Sequence, residues 1–187
     1  PMLNAKGEIV GLAFDGNIHS ISGSYWFDER MNRSIGVHPA YGELRNHQAR
    51  AGGRFINELD MRFKRRVIFL GDELATALFG EAEPVGETVL VNQTPFVVIG
   101  VMAKKKQMGM YGGPDADHAV VPLTTFQASY GRRFLSNLVY RSTTPEQMVQ
   151  ATKRFHEVLG AKYKFDPDDE RAMYEWDTVK TQQIGRN

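Results

Sequence analysis

The alternation of short apolar runs with helical segments after residue 52 is the feature that most constrains the fold. β-Branched and aromatic runs predict strands over residues 66–70, 87–92, 95–102, 118–123 and 137–141. The polar residues 92–94 predict a hairpin between the second and third of these strands. Capping and stop signals predict helices over 72–79, 124–131 and 144–160, and a last helix from Asp166 onward. This order indicates a mixed α/β domain, and 42% hydrophobic residues can supply its core.

Residues before 40 follow a different pattern. They read as short strands and turns, with a Gly/Ser-rich stretch and an aromatic cluster at 25–27, and they show no helical period. Gly42, Gly52 and Gly53 stand among polar residues and indicate a loop or junction. We therefore predict a β fragment over 1–40, a junction over 41–52 and the α/β domain over 53–187.

Composition excludes several classes of function. The 23 basic residues against 22 acidic ones give a net charge of +1, which argues against a nucleic-acid binder. The absence of cysteine excludes disulfides, thiolate metal sites and a cysteine nucleophile. None of the five histidines has a recognisable ligand spacing, so no metal site and no cofactor are predicted in this chain. The longest apolar run, residues 95–103, is shorter than the roughly 20 residues of a membrane helix. Both ends of the chain lack start or stop signals, and we expect a fragment of a larger protein.

Two basic clusters and one glycine-rich segment are candidate interfaces. The clusters could steer an acidic partner or a lipid headgroup, or they could be solvated faces and strand gatekeepers. The segment carries methionine and tyrosine, which could contact a partner or could pack against the domain. The candidate interface residues are Arg62, Lys64, Arg65, Arg66, Lys104, Lys105, Lys106, Met108, Met110 and Tyr111.

Residues 1–38 resemble the C-terminal end of peptidase family S46. The resemblance rests on residues 1–17, which include Phe14-Asp15-Gly16-Asn17, and on residues 22–28 and 32–38. That family comprises periplasmic dipeptidyl-peptidases with a chymotrypsin-like double barrel, so the resemblance implies a β-strand fragment of such a barrel. It also implies substrate-pocket roles for Asp15, Gly16 and Asn17. The family's nucleophilic serine and its His and Asp partners are absent, and no catalytic residue is predicted.

Residues 53–187 resemble the C-terminal part of the periplasmic core domain of MacB-like ABC transporter permeases. The resemblance follows the order and spacing of residues 53–56 with Asp60, then 66–71, 78–80, 84–88, 95–102 and 121–125. It implies a location at the periplasmic face of the bacterial inner membrane and ATP binding on a separate nucleotide-binding domain. The implied partners are the remaining transporter parts, membrane helices outside this chain and a periplasmic adaptor protein. A homodimer is a further option.

Three functional hypotheses follow. The first is a non-enzymatic periplasmic domain that couples ATP-driven helix movement to export or adaptor contact, with the predicted helix from Asp166 as a lever. The alternative is a truncated, inactive remnant of an S46 serine dipeptidyl-peptidase. A third is an interaction module without a transporter.

Overall fold

The structure, a computed structural model, contains one mixed sheet of seven strands in the order β4-β5-β3-β6-β2-β1-β7. It describes residues 18–25, 34–91, 94–105, 115–131, 137–142, 144–169 and 171–175. In chain order the strands are β1 (Ile18–Tyr25), β2 (Ser34–Val37), β3 (Val67–Leu70), β4 (Thr88–Val91), β5 (Thr94–Val101), β6 (Ala119–Pro122) and β7 (Asn137–Ser142).

The strand directions define two ends of the sheet. β2 is parallel to β6 and β3 is parallel to β5, whereas the β1–β2, β1–β7, β3–β6 and β4–β5 pairs are antiparallel. It follows that β1, β3 and β5 all run in the same direction. They begin at one end, which we call the entry end, and β5 finishes at the opposite end.

Five helices accompany the sheet. They are α1 (Ala40–Leu44), α2 (Glu58–Arg62), α3 (Asp72–Phe79), α4 (Leu123–Tyr130) and α5 (Met148–Tyr163), with 3₁₀ turns at Asp115–Asp117 and Pro145–Gln147. Helix α3 shows why the sequence folds this way locally. Asp72 and Glu73 lie at its positive N-terminal end, and Gly80 has a positive φ of 61° just beyond its last residue.

The strands and helices predicted for residues 66–160 are confirmed, including the β4–β5 hairpin. One detail was wrong. The helix predicted over 124–131 begins at Leu123, so Thr124 lies within α4 rather than at its cap position, which Pro122 occupies. The Thr124 hydroxyl instead donates to the main-chain oxygen of Met61 at 2.6 Å. This hydrogen bond connects α4 to α2, a tertiary contact that residue spacing does not reveal.

The end of α5 also differs from the prediction. Gly160 does not end the helix, which continues to Tyr163 and is followed by Lys164 with φ 63°. The glycine is needed because a Cβ there would lie 2.8 Å from the Phe165 oxygen. The described residues after Asp166 form turns rather than a helix. The Asp166 carboxylate accepts a hydrogen bond from the Asp168 N–H, which forms a turn stabilised by the Asp166 side chain.

Apolar residues are buried on both faces of the sheet. One core joins strands β3, β5 and β6 to α2, α3 and α4, and its largest buried members include Ile68, Leu70, Phe96 and Phe126. The second core lies on the other face, where Phe69 and Val120 pack with Val37, Tyr41, Ile56 and Met102. Because β3 and β6 are buried on both faces, their sequences are continuous apolar runs.

A segment that precedes α2 runs beside the second half of β5. Arg50 and Arg54 donate their N–H groups to the oxygens of Val101 and Ile99, each at 2.8 Å. Gly53 is required for this approach, because a Cβ on it would lie 2.7 Å from the Gly100 Cα. This pairing holds the chain that leads into α2.

The strands of the N-terminal block belong to this same sheet. β1 pairs with β2 and β7, and β2 pairs with β6. The chymotrypsin-like barrel fragment predicted for residues 1–40 is therefore not confirmed. Asp15, Gly16 and Asn17, the predicted substrate-pocket residues, lie outside the described residues.

Candidate interaction surface

The first predicted basic cluster forms the turn between α2 and β3 at the entry end. We call residues 62–66 the basic turn. Helix α2 begins with a capping box, in which Asn57 and Asp60 each accept from the other's main-chain N–H. The helix ends at Arg62 with Phe63 as its C-cap, and Lys64 takes a left-handed φ of 49° that reverses the chain into β3.

The basic turn presents an exposed aromatic ring between cations. The Phe63 side chain is 60% exposed. The guanidinium carbons of Arg62 and Arg65 lie 5.5 Å and 5.7 Å from its ring centroid, which is cation–π distance. Lys64 and Arg66 are also exposed. The turn therefore combines four positive charges with one large apolar group.

A buried carboxylate anchors this turn from below. Asp60 has no exposed surface, and Arg54 donates to its two oxygens at 2.6 Å and 3.0 Å. Arg65 lies 3.5 Å from the same carboxylate. Burial would raise the pKa of Asp60, but the hydrogen bonds from Arg54 and Asn57 outweigh it and keep that pKa below its usual value. Asp60 thus remains ionised and positions the turn.

Two threonine side chains of α4 hold the main chain of the basic turn and of the helix end before it. Thr125 donates to the Arg65 oxygen at 2.8 Å, and Thr124 donates to the Met61 oxygen at 2.6 Å. These hydrogen bonds satisfy main-chain oxygens at the end of α2 and in the turn that follows it. They do not involve the charged groups of the basic side chains. The backbone of the turn is therefore held while its charged side chains face outward.

Two lysines of the second basic cluster lie among the described residues, and they differ in exposure. Lys104 is exposed, whereas the Lys105 side chain is only 16% exposed. The Lys105 ammonium lies 2.7 Å from Asp115 Oδ2 and donates to the Arg45 main-chain oxygen at 2.6 Å. Arg45 Nη2 lies 2.9 Å and 3.1 Å from the two Asp115 oxygens. Lys105 therefore joins α1, the end of β5 and the Asp115–Asp117 turn in one buried ionic cluster.

His47 completes this cluster from its apolar side. Its ring contacts those of Tyr41, Phe55 and Phe69, and its Nδ1 atom lies 3.4 Å from the Lys105 ammonium. Burial, reinforced by the Lys105 charge, lowers the pKa of His47 to about 4. The pKa of Asp115 also lies below its usual value, because the hydrogen bonds from Lys105 and Arg45 outweigh the effect of burial. Near neutral pH the cluster contains a neutral imidazole beside an ionised carboxylate.

The structure does not bring the two basic clusters together. The basic turn precedes β3 at the entry end, whereas Lys104 follows β5 at the opposite end. Lys106, Met108, Met110 and Tyr111 lie outside the described residues. Sequence reasoning missed the anchoring roles of Asp60 and Asp115. The spacing of Asn57 and Asp60 could have revealed the capping box, but nothing local to Asp115 indicates Arg45, its partner 70 residues away.

Comparison with known proteins gives a consistent family match. The sequence model of the MacB-like periplasmic core domain matches residues 11–158. The macrolide export ATP-binding/permease protein MacB of Chlorobaculum tepidum is 29% identical over 164 residues, which are 85% of this chain and 24% of that protein. The Rhodospirillum rubrum protein of the same name is 32% identical over 145 residues, 75% of this chain and 22% of its own length. The chain thus spans about a quarter of these relatives.

Solved structures share the fold. The extracellular domain of the noncanonic ABC-type transporter YknZ from Gram-positive bacteria matches with a TM-score of 0.66 at 19% identity, over 83% of this chain and 81% of that one. The periplasmic region of MacB from Actinobacillus actinomycetemcomitans matches with a TM-score of 0.65 at 18% identity, over 92% and 78%. Both likenesses bear on the fold alone.

A short match of a different kind involves a peptidase. Dipeptidyl-peptidase 7 of Capnocytophaga gingivalis is 49% identical over 41 residues, which are 22% of this chain and 6% of that protein. The resemblance to peptidase family S46 therefore has support over a short stretch only.

Proposed function

The chain belongs to the MacB-like periplasmic core domain family, and on that premise we propose that it is the part of an ABC transporter that couples helix movement to export or to adaptor contact. The family match over residues 11–158 carries this proposal. No helix among the described residues is long and apolar enough to cross a membrane. In the proposal the driving movement comes from other parts of the transporter, with ATP bound at a separate domain.

The described residues after α5 supply a means of coupling. The Tyr140 hydroxyl donates to Glu175 Oε1 at 3.0 Å, and His156 Nε2 lies 3.0 Å from the same oxygen. His156 Nδ1 lies 3.1 Å from the Pro167 oxygen, and the Tyr140 ring stacks on Phe155 at 4.3 Å. These contacts fasten residues 167–175 to α5 and β7. A displacement of this segment would therefore be transmitted to the sheet as a rigid-body shift, a task first predicted for a helix beginning at Asp166.

Partner contact is proposed at the exposed basic positions. Four positively charged side chains on a single turn attract a negatively charged surface. The attraction is strongest when the backbone that carries these side chains is held in place. Lys105 contributes indirectly, since its ammonium already binds Asp115 and Arg45. The proposed interface residues among those described are Arg62, Lys64, Arg65, Arg66, Lys104 and Lys105. The adaptor protein, a homodimer and the location at the inner membrane belong to the same proposal.

Membrane topology tests the proposal. An antibody raised against this chain should detect a membrane-bound product in the source cells. External protease should remove the epitope in spheroplasts but not in intact cells. A cytoplasmic protein of the same cells, probed in parallel, should resist the protease in both preparations. An epitope that survives in intact spheroplasts would contradict a periplasmic domain.

A dipeptidyl-peptidase remnant is the second candidate, and the 41-residue match favours it. The chain would then retain a pocket strand with Asp15, Gly16 and Asn17 and would lack the nucleophile. We expect no turnover of chromogenic dipeptide substrates and no labelling by a serine-directed probe. Serine-dependent turnover by the purified chain would contradict both the inactive remnant and the transporter proposal.

A further inference from the structure

We propose that the basic turn, together with Leu59, docks the domain on a lipid bilayer that carries anionic headgroups. This inference rests on the proposed function, since it names the surface that the proposed interface contacts. The turn lies beside no catalytic or metal-binding group among the described residues. Its chemistry is a cluster of cations around exposed apolar side chains.

The charge of the turn is largely uncompensated. Among the described residues no carboxylate pairs with Arg62, Lys64 or Arg66. The nearby carboxylate of Asp60 is buried and already binds Arg54 and Arg65. A surface with several phosphates would therefore find free donors here. Each basic residue near an anionic bilayer strengthens binding about fivefold at moderate ionic strength.

The apolar part of the surface favours a bilayer over an acidic protein segment. Leu59 and Phe63 lie four residues apart, and their side chains are 49% and 60% exposed. Because the Phe63 N–H bonds to the Leu59 oxygen, the two lie on one face of a helical turn. Arginine stems beside the ring can extend along apolar surface while their charged heads reach phosphates. This combination matches an interface where headgroups meet acyl chains.

The sheet topology places the basic turn at the end of the sheet where β1 begins. β1 and β3 begin at the same end of the sheet, so Ile18, the first residue of β1, lies at the end that carries the basic turn. β1 also extends from Ser24, which pairs with Val37 at the end of β2, back to Ile18 towards the entry end. If one of the membrane helices that the proposed function assigns to other parts of the transporter connects on the β1 side, it would hold this end of the sheet towards the bilayer.

Vesicle binding by the 187-residue chain tests the proposal. The chain should sediment with phosphatidylcholine vesicles that contain phosphatidylglycerol and much less with pure phosphatidylcholine. The triple variant Arg62→Gln, Lys64→Gln, Arg66→Gln should weaken binding to the anionic vesicles about a hundredfold. The variant Phe63→Ala should weaken it about tenfold, because apolar area no longer enters the interface.

Matched variants separate site-specific binding from net charge. The control Arg50→Gln, Lys153→Gln, Lys164→Gln removes the same charge from exposed positions outside the turn, and Tyr163→Ala removes an exposed aromatic ring from the end of α5. Both controls should bind like the parent chain, and circular dichroism should show all variants folded.

Equal losses in the test and control triples would overturn the proposal. So would binding to polyglutamate as tight as binding to anionic vesicles, which would assign the turn to an acidic protein. Absent vesicle binding alongside the periplasmic protease pattern would overturn this inference alone.

Discussion

Acidification should destabilise the domain through His47. Its pKa falls from 6.5 to about 4 on folding, chiefly because the ring is buried and secondly because Lys105 lies beside it. As the pH drops through this window, the unfolded chain binds a proton that the folded chain does not. The free energy of unfolding therefore decreases with falling pH. At about 1.4 kcal/mol per pH unit, the loss over the whole window reaches about 3 kcal/mol.

Urea unfolding followed by circular dichroism over this pH range provides the measurement. The variant His47→Phe keeps a ring among Tyr41, Phe55 and Phe69 but cannot titrate. Its free energy of unfolding should therefore lose about 3 kcal/mol less than that of the parent between pH 6.5 and about 4. Phe55→Leu is the control, because it disturbs the same packing without removing a titratable group and should keep the parent's pH dependence.

The opposite result would refute the reasoning. If the parent and His47→Phe lose stability in parallel, the imidazole does not change its pKa on folding. If His47→Phe loses more than the parent, the folded state favours the charged imidazole. Asp115, 6% exposed, would then dominate over burial.

Three further variants test the buried groups, with one exposed control. Asp115→Ala should cost about 3–5 kcal/mol, since it removes the carboxylate that Lys105 and Arg45 contact, and adding Lys105→Met should restore part of the loss in a double-mutant cycle measured by urea unfolding. Asp60→Ala should cost about 2 kcal/mol and increase hydrogen exchange in residues 57–66. Gly71→Ala should cost about 1–3 kcal/mol in thermal unfolding, because its Cβ would meet the Ala116 main chain. Leu90→Ala, 71% exposed in the parent, should change stability by less than about 0.5 kcal/mol. An effect of Leu90→Ala as large as that of Gly71→Ala would contradict these burial arguments.

Local sequence was sufficient for most of the elements. Helix α3 carries its acidic first turn and its closing glycine within nine residues, and the β4–β5 hairpin carries its turn between two apolar runs. Such signals act over a few residues, so they can be identified in the local sequence. Gly160 shows the limit, since its reason is a contact with Phe165 after the helix rather than the end of the helix.

The candidate interaction surface was harder to predict than the helices and strands, because it depends on tertiary contacts. The sequence marked residues 62–66 and 104–106 as similar basic clusters. The structure distinguishes them, because Arg62 and Lys64 face outward whereas Lys105 binds Asp115. Whether a lysine is a free charge or half of an ion pair depends on whether the fold brings a partner beside it, as it brings the Asp115–Asp117 turn beside Lys105. Composition and spacing carry no information about that partner.

By itself, the sequence determined the alternation of strands and helices, the absence of cysteine chemistry and the resemblance to a transporter domain. Only the tertiary structure decided that β1 and β2 join the same sheet, and that the basic turn shares an end of that sheet with the start of β1. Strand order and direction depend on hydrogen bonds between segments far apart in the chain. Periodicity predicts the segments, but it does not predict which of them become neighbours.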